Sequence, residues 1–98
     1  MFGTVAQLHP KPGQEQTLLQ LSQTWRRERG AKLPGFVAEY LFRSVSHPGE
    51  YTLVVLFTDR ASYQANAADP EQDRWYQQIR ACLVADPEWN DGEVVPLA

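Results

Sequence analysis

The sequence predicts an α+β domain: a four-stranded antiparallel sheet with helices on one face, in the chain order β-α-β-β-α-β. Three observations carry this. Two helix-periodic apolar sets, Leu18/Leu21/Trp25 and Trp75/Tyr76/Ile79/Cys82/Leu83, alternate with runs rich in β-branched and aromatic residues. The two central runs are joined by Ser46-His47-Pro48-Gly49, a hairpin-type connection. The run Glu50 to Phe57, EYTLVVLF, is apolar on both alternating faces. A strand covered on only one side alternates apolar and polar residues. A chain of 98 residues cannot cover both faces of such a sheet, so a second copy is expected to cover the other.

Each element has its local signal. Phe2 to His9 reads as a first strand, ended by Pro10-Lys11-Pro12-Gly13 because proline cannot donate to a sheet ladder. Gln14 to Arg29 reads as a helix, with Glu15, Gln16, Gln20, Gln23 and Arg27 off the apolar face and Gly30 as its stop. After the turn Leu33-Pro34-Gly35, Phe36 to Val45 is a second strand. Plain alternation puts Phe36, Ala38, Tyr40 and Phe42 on one face and Val37, Glu39, Leu41 and Arg43 on the other. Glu50 to Thr58 is the third strand, with Tyr51, Leu53, Val55 and Phe57 opposite Val54 and Leu56. The bare sheet face is expected to present Val54 and Leu56 with Val37 or Leu41. Asp59 caps a short helix to about Ala67. Asp69-Pro70-Glu71-Gln72 starts another, with Asp69 as cap, Pro70 in the first helical position and Gln72 closing a capping box. Asp86-Pro87 ends that helix, Asn90-Asp91-Gly92 is a turn, and Glu93-Val94-Val95 is a short last strand. This is the ferredoxin-like βαββαβ arrangement, in one domain over residues 1–98.

Composition excludes several functions. The net charge is −3, with no basic excess for a nucleic-acid partner, and the cluster Trp25-Arg26-Arg27-Glu28-Arg29 reads as a solvated helix face. No segment approaches the roughly 20 apolar residues of a membrane span, so no membrane partner is expected and the expected location is cytoplasmic. The single cysteine, Cys82, permits no intrachain disulfide and sits as a small core residue. His9 and His47 fall in loops without carboxylates or thiols spaced to complete a metal site. The acidic run Asp86, Glu88, Asp91, Glu93 lacks the register of a calcium loop.

An ordered set of short motifs carries a resemblance. Lys11-Pro12-Gly13 precedes the first helix, Leu33-Pro34-Gly35-Phe36 enters the second strand, Ser46-His47-Pro48-Gly49-Glu50 makes the hairpin, and Leu56-Phe57-Thr58-Asp59-Arg60-Ala61-Ser62-Tyr63 follows. Over about residues 2–95 the chain resembles the antibiotic biosynthesis monooxygenase domain of the dimeric α+β barrel superfamily. The resemblance implies a homodimer paired through its sheet faces. It also implies one of two chemistries, cofactor-free oxidation of quinols or polyketide phenols, or haem degradation. Haem-degrading relatives carry an asparagine on strand one and a histidine after strand three. Here strand one offers Gln7, and no histidine lies between Asp59 and Ala85. Catalytic haem is therefore not expected, and no cofactor is assigned. Enzymatic relatives often end strand three in tryptophan, where this chain has Phe57. Tyr63 matches an aromatic position lining the pocket of cofactor-free members.

The expected site is an aromatic cavity between helices and sheet. Trp25, Tyr40, Phe57, Trp75 and Arg80 are the substrate-binding candidates and Tyr63 the catalytic one, with Tyr76 in the same aromatic set and Arg74 an alternative to Arg80. The function expected is a cofactor-independent monooxygenase acting on a small phenol- or quinol-like aromatic. The alternative is a non-catalytic dimer that binds a small molecule.

Overall fold

The computed structural model describes residues 1–98. Its elements are β1 (Phe2–Leu8), α1 (Glu15–Glu28), β2 (Phe36–Arg43), β3 (Tyr51–Phe57), α2 (Arg60–Ala67), α3 (Pro70–Ala81) and β4 (Glu88–Glu93), with a 3-10 turn over Gly30–Lys32 after α1. The four strands form one antiparallel sheet in the order β2-β3-β1-β4, the ferredoxin-like α+β topology. Alternate residues of the central strands meet the helices, and the core is Ala6, Leu8, Leu18, Tyr51, Leu53 and Leu83, flanked by Leu19, Leu41, Val55 and Ile79.

The helix starts follow their local chemistry. The Asp59 carboxylate accepts from Ser62 N–H at 2.8 Å, and Asp69 accepts from Glu71 N–H at 2.9 Å with Pro70 next to it. Gln72 does not close a capping box. Its Oε1 instead accepts from Trp25 Nε1 at 2.9 Å and Arg29 Nε at 3.0 Å, joining α3 to α1. Arg29 also donates to Asn66 and Asp69, and its side chain is 12% exposed, so the basic cluster is solvated only in part. Gly35 has φ +78°, and a Cβ there would run into the Ser62 side chain.

Two C-terminal boundaries depart from the sequence reading. α3 stops at Ala81, because Lys11 N–H bonds Cys82 O at 2.7 Å and Val84 N–H bonds His9 O at 2.9 Å, tying the chain to the loop after β1. The last strand is Glu88–Glu93, so the Asn90-Asp91-Gly92 signal lies inside a strand. Its backbone pairs with the free edge of β1, Gly3 opposite Gly92 and Thr4 opposite Asp91, and that ladder outweighs the turn propensity.

The most consequential departure is in β2. Phe36 pairs with Phe57 but Ala38 pairs with Leu56, so Val37 is an extra residue on this strand, a β-bulge. The bulge breaks plain alternation. Phe36 faces the helices, its ring 5.7 Å from Trp25 and 6.0 Å from Phe57. Beyond it, Glu39, Leu41 and Arg43 pair with Val55, Leu53 and Tyr51 on the helix face, while Ala38, Tyr40 and Phe42 pair with Leu56, Val54 and Thr52 on the bare face. Leu41 therefore packs, partly buried, against the core, and the bare face is Val5, Tyr40, Phe42, Val54 and Leu56. Tyr40 is 60% and Phe42 66% exposed there.

Candidate functional site

Between sheet and helices lies a cavity of about 420 Å³. The sheet supplies its floor as a transverse row of cross-strand partners. Glu39 of β2 stands opposite Val55 of β3, Val55 opposite Thr4 of β1, and Thr4 opposite Asp91 of β4. The neighbouring row, Leu41-Leu53-Ala6-Trp89, brings Leu53 and Trp89 to the wall. Aromatic rings supply much of the remaining wall of this partly open space: Trp25 from α1, Phe57 ending β3, Tyr63 from α2 and Tyr76 from α3. The Tyr76 and Trp89 rings lie 5.9 Å apart, and Tyr63 lies 5.2 Å from Phe2 and 5.8 Å from Phe57. Such a set presents flat apolar surfaces with a few polar atoms among them, the usual make-up of a small-molecule site.

Most polar groups in the wall already have partners. Trp25 Nε1 is held by Gln72, Asn66 accepts from Arg29, and Asp91 accepts the Tyr63 hydroxyl at 2.9 Å. Burial and the Asp91 carboxylate push the Tyr63 hydroxyl up to about 12, so it remains a proton donor through the neutral range. Two groups are left. Thr4 Oγ1 is buried and makes no well-formed hydrogen bond, although it lies close enough to the Tyr63 hydroxyl to oppose the rise in that group's pKa slightly. Glu39 is raised from an ordinary 4.5 to about 7 by burial, against a smaller opposing pull from the Arg26 guanidinium.

Of the residues singled out from the sequence, Trp25, Phe57 and Tyr63 come together around this cavity, with Tyr76. Tyr40 does not, because the hairpin register pairs it with Val54 on the opposite sheet face, and the bulge at Val37 breaks the alternation that would link it to Phe36. Trp75 is absent from the lining; it precedes Tyr76 on α3 by one residue, about 100° around the helix. Arg80 donates to Asp86 at 2.6 Å and to Leu83 O at 3.0 Å outside the cavity, and Arg74 pairs with Glu71 on the exposed face of α3. Gln7 lies on the bare face, accepting from Thr52 at 3.1 Å. Glu39, Thr4, Trp89 and Asp91 were missed. Glu39 had a usable signal: counting faces back from the hairpin, Arg43 opposite Tyr51, places it opposite Val55 on the core face.

The lining does not fit haem. It contains no His, Cys or Met to ligate iron, and its tyrosine hydroxyl bonded to Asp91 is held protonated. No three His, Cys, Asp or Glu side chains are grouped to hold a metal ion, and no helix is long and apolar enough to cross a membrane.

Solved structures share this architecture. A protein from Caulobacter crescentus CB15, provisionally described as an antibiotic biosynthesis monooxygenase, superposes with a TM-score of 0.84 at 17% identity, over 97% of this chain and 90% of its own. One of the same provisional description from Bordetella bronchiseptica gives 0.82 at 20% identity over 97% of both chains. A conserved protein from Methanosarcina mazei Go1 gives 0.81 at 19%, over 93% and 89%. At these identities the likeness speaks for the fold alone. No curated protein matches the sequence significantly. The sequence itself matches the family model for antibiotic biosynthesis monooxygenase over residues 1–78, from β1 through most of α3 and so through most of the cavity wall. The chain belongs to the antibiotic biosynthesis monooxygenase family.

Proposed function

We propose that this chain is a monooxygenase that acts, without metal or flavin, on a small aromatic substrate bearing a phenol or quinol hydroxyl. The supporting observation is the cavity of about 420 Å³ walled by Trp25, Phe57, Tyr63, Tyr76 and Trp89 over an apolar floor. A flat ring fits between such faces. The substrate supplies the electrons. Loss of its hydroxyl proton gives an electron-rich anion that passes an electron to dioxygen. The resulting pair combines at a ring carbon, and protonation gives a hydroperoxide. Loss of water from that group leaves a carbonyl, so one oxygen atom enters the product and the other leaves as water. In this reading the Tyr63 hydroxyl turns its single proton from Asp91 to the developing peroxide or carbonyl oxygen as that charge builds.

Oxygen uptake tests this. With an anthrone- and hydroquinone-type panel, the wild type should consume oxygen above protein-free and heat-denatured controls and give the anthraquinone from an anthrone and the hydroxyquinone from a hydroquinone, each carrying one oxygen atom from dioxygen. Tyr63→Phe removes only a hydroxyl and should lower the rate while the fold survives, as read by circular dichroism. No uptake across the panel would leave a non-catalytic binding module as the better reading.

We also infer that two copies pair through the bare sheet faces. Val5, Tyr40, Phe42, Val54 and Leu56 form a contiguous, partly exposed apolar surface, of a kind that seldom faces water in a monomer.

A further inference from the structure

We propose that Glu39 is the base that accepts the proton of the substrate hydroxyl, with the ring lying over Val55 and its opposite polar end at Thr4 Oγ1. This rests on the reading of the cavity as a phenol site. The hairpin register, Arg43 opposite Tyr51, sets Glu39 on the cavity side, and the row Glu39-Val55-Thr4 then places an acid, an apolar floor and a hydroxyl in line across three strands. Strands lie about 4.8 Å apart, so Glu39 and Thr4 are separated by roughly 10 Å at the backbone. One six-membered ring carrying para oxygens, hydrogen-bonded at both ends, spans such a gap.

Elimination supports the assignment. A buried hydroxyl without a well-formed hydrogen bond is unusual; Thr4 Oγ1 makes none, its polar neighbour being the Tyr63 hydroxyl, which is itself bonded to Asp91. Among the other polar groups of the wall, Asp91 is engaged by Tyr63, Asn66 and Gln72 by Arg29, and Asp73 by Gln77 on the exposed side of α3. The charged and titratable groups around Glu39 are Arg26 from α1, Tyr63 from α2, Asp73 and Tyr76 from α3, and Asp91 from β4. Neither tyrosine accepts a proton at neutral pH. Burial lifts Glu39 to about 7, and a base works best when its pKa lies near the working pH. In the transfer, the O–H bond of the phenol breaks, its electron pair stays on the phenolate oxygen, and the proton moves to a Glu39 carboxylate oxygen.

The test uses full-length wild type and Glu39→Gln in two arms. The first is calorimetric binding of unsubstituted phenol, which stays neutral and is not oxidised, at pH 6 and pH 8. Wild type should bind about five- to tenfold more tightly at pH 8, where the carboxylate accepts a charge-assisted hydrogen bond, and Glu39→Gln should show no such change. The second is oxygen uptake with a quinol. Glu39→Gln should lower kcat by about a hundredfold or more and abolish the rise of kcat through pH 7, with KM changed far less. Wild-type uptake with an unaltered pH profile in Glu39→Gln would overturn the assignment and leave the oxygenase reading standing. Glu39-dependent phenol binding without oxygen uptake by wild type would remove the oxygenase reading and keep Glu39 as the hydroxyl's acceptor. Phenol binding that is absent, or equal in both proteins at both pH values, overturns the proposal.

Discussion

Replacing Glu39 by Gln should stabilise this protein, and only above neutral-range acidity. Glu39 sits on the helix face of β2 over an apolar floor, and burial raises it from 4.5 to about 7 in the folded chain. Below pH 4.5 it is neutral in both folded and unfolded states. Between pH 4.5 and 7 the unfolded chain gives up the proton first, so the folded state binds more protons and stability falls as pH rises. Above 7 the full penalty of a buried carboxylate is present, about 3 kcal/mol. Gln has the same shape and no charge, so the variant escapes the penalty. Asp59 and Asp69, held low by the backbone N–H groups they cap, contribute with the opposite sign but equally in both proteins. Their effect cancels in the comparison. At about 4–8 °C per kcal/mol for a domain of this size, the variant should melt about 10 °C or more above wild type at pH 8. At pH 5, only half a unit above 4.5, the difference should shrink to about a quarter of that. Thermal unfolding by circular dichroism at both pH values, at one protein concentration, measures this. An equal difference at pH 5 and pH 8 would refute the claim that a buried, raised carboxylate stands at this position.

The other predictions concern packing and assembly. Phe57→Ala removes a fully buried ring between Phe36 and Tyr63 and should cost about 3–5 kcal/mol in urea denaturation, unless the cavity above it collapses. Gln72→Leu leaves the Trp25 and Arg29 donors without their shared acceptor; the expected loss is about 1–3 kcal/mol, and an unchanged urea midpoint would mean the α1–α3 clamp contributes nothing. Wild type should sediment as two chains at micromolar concentration, whereas Leu56→Asp should sediment as one chain or unfold; a single-chain mass for wild type would dispose of the paired-sheet proposal. Haemin should give no sharp one-to-one Soret transition, since the cavity offers iron no imidazole, thiolate or thioether.

What the sequence determined by itself was local and periodic. The helix-facing set Tyr51, Leu53, Val55 and Phe57 follows from period-two alternation, and the starts of α2 and α3 follow from Asp59 and Asp69, because caps and faces are set by a few neighbouring residues. The chain order of elements and the fold class were legible from the succession of periodic segments and turns, and the aromatic richness of the space around Phe57 and Tyr63 from residue type. Tertiary pairing decided the rest. Nothing local marks Val37 as an extra residue; the bulge exists because Phe36 is held against Trp25 and Phe57 while the hairpin fixes Arg43 opposite Tyr51, and the two registers differ by one residue. That single residue lets Phe36 face the helices although the hairpin register turns Tyr40 out of the site and Glu39 into it, so alternation counted from Phe36 assigns both to the wrong face. The edge of β1 likewise recruits Glu88–Glu93 against its turn propensity, bringing Asp91 to Tyr63 and Trp89 to Tyr76. The polar chemistry of the cavity is thus assembled by cross-strand register, a relation between residues far apart in the chain that no short window of sequence contains.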